Sequence, residues 1–282
     1  MVGGKNKVIN TLCTILLIGI VCFICFPVLW TFSNAFRASD AEIFRNAARL
    51  SIRTLIPESF TLSNFYTVVI ENKFYIPLIN SLIVAVATII GGVILNGLAG
   101  FAFAKFHFRG KNLLFAVCLF SFVIPFEMIA IPLYQVVGSM NLLDTKAALI
   151  LPMIGNGMIV FLYRQAFKDV PDALIEAAVL DGAGIFKIFF KIMMPLAKPV
   201  VISSGLMIFI QQWDAFLWPM IAATSKSQKV VQVAISEFSG ETFTSWSGTF
   251  TATTIAILIP VLILLPLQKY YIQGISSAGM KE

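Results

Sequence analysis

The sequence predicts an all-α integral membrane protein with six transmembrane helices and one folded two-helix loop. Three observations carry this. Of the 282 residues, 59% are hydrophobic and 12% charged, with a mean hydropathy of +0.91; a soluble domain carries about 45–50% apolar and about 25% charged residues. Apolar stretches long enough to cross roughly 30 Å of hydrocarbon at about 1.5 Å per residue recur along the chain. One connection, 168–198, is amphipathic and punctuated by proline and glycine.

The first span, 8–36, contains no charged residue. A secretory signal is the competing reading, since Lys5 and Lys7 give a basic start and Ser33 and Ala35 a small-x-small site. The apolar run exceeds the 7–15 residues of a signal core, so a retained helix is expected. The other spans are expected at 77–104, 113–137, 147–167, 199–223 and 249–271. Pro27, Pro125, Pro152 and Pro260 interrupt them, which membrane helices tolerate when neighbours satisfy the freed carbonyls. Two segments follow: 1–76, an N-terminal helix with an outer segment, and 77–282, a five-helix core carrying the 168–198 loop.

Six spans place both termini on one side. Lys105, Arg109, Lys111, Arg164, Lys168, Lys187, Lys191 and Lys198 then share a face with Lys5, Lys7, Lys269 and Lys281. By the positive-inside rule that face is cytoplasmic. The segment 33–76 opposes the count with Arg37, Arg45, Arg49, Arg53 and Lys73, offset by its length and by Asp40, Glu42, Glu58 and Glu71. Tyr270 and Tyr271 read as interfacial aromatics.

The inventory also excludes chemistry. One histidine, His107, and 14 acidic residues leave no catalytic set and no metal site, and no cofactor is expected. The scattered basic residues make no nucleic-acid patch. Cys13, Cys22, Cys25 and Cys118 all lie in apolar runs, where cysteine behaves as a small hydrophobe. The Gly-Lys pairs at Gly4 and Gly110 are each followed by asparagine, so neither belongs to a phosphate-binding G-x-x-x-x-G-K-[ST] loop.

In the long loop, Pro171 is expected at the first helical position and Asp172 in the first turn, where the helix dipole favours an acid. Leu174, Ile175, Ala178 and Val179 are expected on one face, Gly182 ends the helix, and a second short helix, 185–193, is stopped by Pro195. Ala177, Ala178 and the glycines allow another backbone close approach, while Glu176 and Asp181 offer charge. Two readings stand: an elbow that receives a partner protein, or an interfacial helix packed on its own bundle.

At this point the residues become recognisable. Glu176, Ala177, Ala178, Gly182, Ile192 and Pro195 fall at the spacing of the E-A-A-x3-G-x9-I-x-L-P signature, with Met194 for leucine. The chain thus resembles the bacterial binding-protein-dependent ABC importer permeases. Asn80 and Ser81, FAFAKFHFRG from Phe101, IPLY from Ile131, LDT from Leu143 and WDAFLWP from Trp213 are similar to the carbohydrate-uptake branch, specifically the short permease of the maltose-transporter type. Asp214 stands where that family commonly has asparagine. The resemblance implies a half-permease paired with a homologous permease, two cytoplasmic ATPase subunits and an external solute-binding protein. It also implies that the loop, with Glu176, Ala177, Ala178, Asp181, Gly182 and Pro195, docks the ATPase and couples its closure to the membrane helices. The substrate implied is a sugar, with a polyol or glycerol phosphate as the alternative.

Two acids fall within spans, where charge is costly and marks a functional candidate. Straight helices would place Glu127 and Asp214 both roughly 20 Å from the cytoplasmic boundary. With Gln211, Gln212, Trp213 and Trp218 they form a candidate polar and aromatic sugar-binding layer; the other reading is a helix tie or gate. An ion-coupled secondary transporter is the remaining rival, disfavoured by the absence of a basic partner for these acids.

Overall fold

A computed structural model describes residues 3–47, 52–240 and 244–279. The expectations resting on Arg49 and Lys281, and on the side chains of Lys5, Lys269, Tyr270 and Tyr271, lie outside the described residues. Among those described, the protein is helical, and its extended pairings are two isolated bridges, Arg37 with Phe60 and Ser239 with Thr244. In chain order the helices used below are α1 (Gly3–Ala35), α2 (Asp40–Ala47), α3 (Tyr75–Lys105), α4 (Lys111–Val123), α5 (Phe126–Ser139), α6 (Lys146–Ile150) and α7 (Gly157–Lys168). They continue as α8 (Asp172–Leu180), α9 (Ile185–Ile188), α10 (Lys198–Trp213), α11 (Leu217–Ala222), α12 (Val231–Glu237) and α13 (Trp246–Gly279).

Among the described residues, three helices are long and apolar enough to cross a membrane singly: Ile9–Ala35, Tyr75–Lys105 and Trp246–Gln268. Three more passages are bent pairs: Lys111–Val123 with Phe126–Ser139 at 104°, Lys146–Met153 with Gly157–Lys168 at 47°, and Ile185–Leu196 with Lys198–Trp213 at 87°. Counting each pair once gives six.

The bends differ from the straight spans expected, and each has a local cause. Pro125 has φ −58 and ψ 135, and Ile124 before it is extended at ψ 122, because the pyrrolidine ring pushes the preceding residue out of the helical region. The straight-rise depth expected for Glu127, in the first turn of α5, therefore does not hold. The span expected at 199–223 is also broken. The 16 residues of α10 end at Trp213, and reach only about 24 Å; three non-helical residues, 214–216, precede α11.

The chain forms two compact units, residues 1–75 with 234–258 and residues 76–233 with 259–282. In the first, the apolar body of α1 is exposed, as suits a helix whose solvent is lipid, and only its end is buried. There Trp30 meets Phe250 edge-on at 5.2 Å, and the Thr251 hydroxyl donates to the Ala35 carbonyl. Asp40 accepts from the amides of Trp246 and Ser247 at 3.0 and 2.8 Å, satisfying orphan donors at the N-terminus of α13.

The segment that follows α1 is organised by Arg37, which is fully buried. Its guanidinium donates to Glu42 and to the carbonyls of Arg53 and Thr54, and Glu42 also accepts from the Glu58 amide and the Ser59 hydroxyl. Arg45 and Arg53 pair with Glu58. Three arginines that complicated the charge count are thus held in local ion pairs.

Burial alone raises the Glu42 pKa, but the Ser59 and Glu58 hydrogen bonds and the Arg37 charge outweigh it and hold the carboxyl below its usual range. The folded pKa being the lower one, this pairing stabilises the segment at neutral pH. The contribution is lost as pH falls from the ordinary 4.5 through the folded value. Glu42→Ala, which leaves Arg37 buried without its counter-ion, is expected to cost about 3–5 kcal/mol, read as faster limited proteolysis of residues 37–60 at neutral pH.

The second unit has two cores about 25 Å apart along α3 by helical rise. One gathers Val84, Val137, Leu149, Trp218 and Ala222; the other gathers Phe101, Tyr163, Phe167, Phe189 and Met193. Between them lies a polar knot. Asn96 donates to the Gly92 and Ile154 carbonyls at 2.7 and 2.8 Å and accepts from the Asn156 amide at 2.9 Å. It pairs the backbone groups freed at the α6–α7 bend, as a broken membrane helix requires.

Candidate functional site

The elbow is built from backbone chemistry that the sequence spells out locally. Helix α8 starts at Asp172, and Pro171 occupies the N-cap position rather than the first helical one, with φ −59 and ψ 134. At the other end the Gly182 amide donates to Val179 and the Ala183 amide to Ala178, both at 2.9 Å. These two bonds make a Schellman cap, which needs a left-handed residue just past the helix, and Gly182 supplies it with φ +75.

Packing divides the faces differently from the expectation. Ile175, Ala178 and Ala183 turn inward and pack against the Phe101–Phe189 core. Leu174 and Val179, expected beside them, are exposed, as are Leu180 (88%), Ile185 and Phe186. Leu180, the most exposed of these, marks the apex of the elbow, and Glu176, Ala177 and Asp181 are also exposed.

Two anchors hold the elbow. Lys105, at the end of α3, donates to the Val170 carbonyl at 2.5 Å and to Asp172 at 2.6 Å. That bond and the lysine charge hold the Asp172 carboxyl below its usual range. Beyond the elbow, Ile188, Phe189 and Met193 are buried, with Phe189 centred 5.9 Å from Phe101 and 6.3 Å from Phe167. The second helix does not end at Pro195. It passes through a π-helical turn, Phe189–Met193, and a short turn, Met194–Leu196, and bends at Ala197. Pro195 directly follows the π-helical turn, a local adjustment by which a helix accommodates a proline ring and its missing N–H. Displacement of the elbow thus acts directly on the helix-packing core.

The expected polar and aromatic layer divides in two. Trp213 and Trp218 are 3% and 4% exposed, and Gln212 is buried with them. Trp218 donates through Nε1 to the Ala148 carbonyl and packs on Phe126, while Trp213 stacks on Phe209. Gln211, Asp214 and Glu127 are exposed on this chain. Gln211 accepts from Asn156 at 3.4 Å, which ties it to the Asn96 knot. Lys105 and Asn96 were not assigned site roles from sequence, because their partners lie 58–67 residues away and no periodicity signals such pairs.

Asn80 and Ser81 hold the other end of α3. Asn80 donates to the Ser227 and Lys229 carbonyls, and Ser81 accepts from the Val231 amide. Asp144 accepts from the Ser225 amide.

Up to six apolar passages, one helix break repaired by asparagine and an anchored apolar elbow together describe a polytopic membrane protein. Residues 96–277 match the family described as binding-protein-dependent transport system inner membrane component, and the chain belongs to that family. It is 30% identical to the arabinooligosaccharides transport system permease protein AraQ of Halalkalibacterium halodurans, over 98% of this chain and 99% of that one. It is 29% identical to the sn-glycerol-3-phosphate transport system permease protein UgpE of Yersinia pestis, over 96% and 97%. A bacterial ABC transporter involved in the import of the acidic polysaccharide alginate shares the fold with a TM-score of 0.82, at 20% identity over 96% and 99% of the two chains. The MetNI methionine ABC transporter superposes with a TM-score of 0.52 at 13% identity, over 76% of this chain and 99% of that one.

Proposed function

We propose that this chain is one half of the translocation path of an ATP-driven importer of neutral sugars, working with a homologous permease, two cytoplasmic ATPase subunits and an external solute-binding protein. The observation that carries the reading is the elbow: an exposed apolar apex at Leu180, capped at Gly182 and anchored through Lys105 and Phe189 to the bundle core. A partner that grips this apex transmits force to the helices. ATP hydrolysis is assigned to the partner because this sequence has no phosphate-cradling loop. The elbow and both termini face the cytoplasm on the charge pattern.

The sugar class draws on the arabinooligosaccharide relative, and the glycerol-phosphate relatives supply the competing reading. The exposed candidates Glu127, Gln211 and Asp214 are acidic or neutral, and no lysine or arginine falls within about ten residues of any of them in the sequence. A phosphate would meet repulsion there without a counter-ion, whereas hydroxyls suit amides and carboxylates. Deleting the gene in its host is expected to abolish uptake of labelled arabinooligosaccharide and to leave glycerol 3-phosphate uptake intact; the opposite pattern would establish the phosphate reading.

The two halves of the layer have separable roles. Asp214→Asn is expected to raise the KM for uptake severalfold in an assembled transporter. Trp218→Ala removes a buried side chain and is expected to cost about 3–5 kcal/mol and lose assembly. Loss of assembly with Asp214→Asn would assign that residue to structure.

A further inference from the structure

A cavity of about 530 Å³ is lined by none of the elbow's exposed apolar residues and by none of the polar layer. Its lining includes His107, Lys111, Arg164 and Lys168 with Phe108 and Leu113, and no carboxylate. It sits where α3 ends, α4 begins and α7 ends, at the boundary of three membrane passages. Of the acids nearby, Asp172 is engaged by Lys105 and interacts with the His107 charge, and Asp169 follows Lys168 in the chain.

Three features shape the cavity for an anion. The Arg164 guanidinium lies 4.1 Å from the Phe115 ring centroid and donates through Nε to the Phe103 carbonyl, a stacked geometry that holds the fork rigid. Lys111 donates to the Phe106 carbonyl at 2.8 Å, which fixes its ammonium at the rim. Helix α4, 13 residues long, has Gly110 at its N-cap with φ 79 and no side-chain cap, so its positive end faces the same place.

One further feature selects the anion. From Leu113, which is 70% exposed, the exposed residues Val117, Phe120 and Ile124 continue along one face of the passage. An apolar track leading out of a basic cavity at a membrane boundary matches a phosphate that carries acyl chains. We propose that this cavity binds the phosphodiester of an anionic phospholipid, with its acyl chains along the Leu113–Val117–Phe120 stripe. The site is independent of which solute is transported.

The test is native mass spectrometry of the purified full chain in detergent, titrated with dioleoylphosphatidylglycerol. Each basic group near a headgroup contributes about fivefold in affinity, so Lys111→Glu, which removes one charge and adds the opposite, is expected to weaken binding more than tenfold. Lys111→Arg and the distant, exposed Lys226→Glu are expected to bind as wild type, with all variants eluting as the same species. Millimolar inorganic phosphate is expected not to displace the lipid. Equal binding by wild type and Lys111→Glu would overturn the site. Displacement by inorganic phosphate would replace the lipid with a soluble anion.

Discussion

A Gly182→Val chain is expected to lose sugar uptake by about tenfold or more while still inserting into the membrane. The position has φ +75, and nothing in this chain lies within 4 Å of where a Cβ would stand. Within the chain the requirement is therefore conformational. A left-handed backbone costs an L-residue roughly 1–2 kcal/mol, and more for a β-branched one. Strain there opens the Schellman cap and releases the Val179 and Ala178 carbonyls. Asparagine tolerates the left-handed region, so Gly182→Asn is expected to keep the cap and accumulate normally. Its side chain nevertheless stands on the exposed face assigned to the ATPase, and uptake is expected to fall as strongly as in the valine variant. Uptake equal to wild type in Gly182→Asn would mean that no partner approaches this backbone closely.

A second large effect is expected deep in the bundle. A Cβ on Gly100 would lie 2.5 Å from the Tyr163 Cβ and 2.9 Å from the Arg164 amide nitrogen. Both are fixed by the backbone of α7, so a rotamer change cannot relieve the clash. Helices α3 and α7 must separate, which loosens the contacts among Phe101, Tyr163 and Phe167 beneath the elbow. Gly100→Val is expected to cost about 3 kcal/mol or more, beyond the usual range for overpacking because backbone is displaced. At Gly205 a Cβ meets Ile89 at 3.6 Å, an ordinary contact, so Gly205→Ala is expected to be neutral. Thermal unfolding of the two variants in detergent checks the contrast, and equal midpoints would contradict the packing described for α3 and α7.

The legible parts of this chain are those governed by local rules. Charge-free stretches predict membrane passages because lipid admits little else, and Gly182 predicts its own cap because only a left-handed residue closes a Schellman motif. Pro125 signalled an interruption but not a 104° bend, since the angle depends on what α4 and α5 pack against. Leu174 and Val179 on α8 are exposed although periodicity groups them with Ile175 and Ala178, because helical spacing does not say whether the chain itself covers an apolar residue. Trp213 and Trp218 suit either a sugar-binding layer or a helix tie by residue type; in the structure their rings meet Phe209 and Phe126. The pairings of Asn96, Lys105, Asp40 and Arg37 join residues up to 207 positions apart, and no sequence spacing encodes them.

Those polar pairings share a logic. Each satisfies donors or acceptors at a place where a helix starts, breaks or ends: Asp40 at the start of α13, Asn96 at the α6–α7 break, Lys105 ahead of α8. Irregular backbone at or within a membrane is stable only where such partners exist. The bent passages are therefore built features, and the breaks flanking Asn156 and Asp214 supply polar groups at mid-chain positions that a straight helix would have covered with its own hydrogen bonds.

The central claim is that force generated by a separate ATPase enters this chain through the elbow and drives solute across. It is tested most directly by loading proteoliposomes that contain the chain, its co-expressed partner permease and the ATPase subunits, with sugar-charged binding protein outside. Uptake is expected with enclosed ATP, to stop when ATP is replaced by a non-hydrolysable analogue, and to be indifferent to proton or sodium gradients. Uptake driven by an ion gradient without ATP would contradict the account.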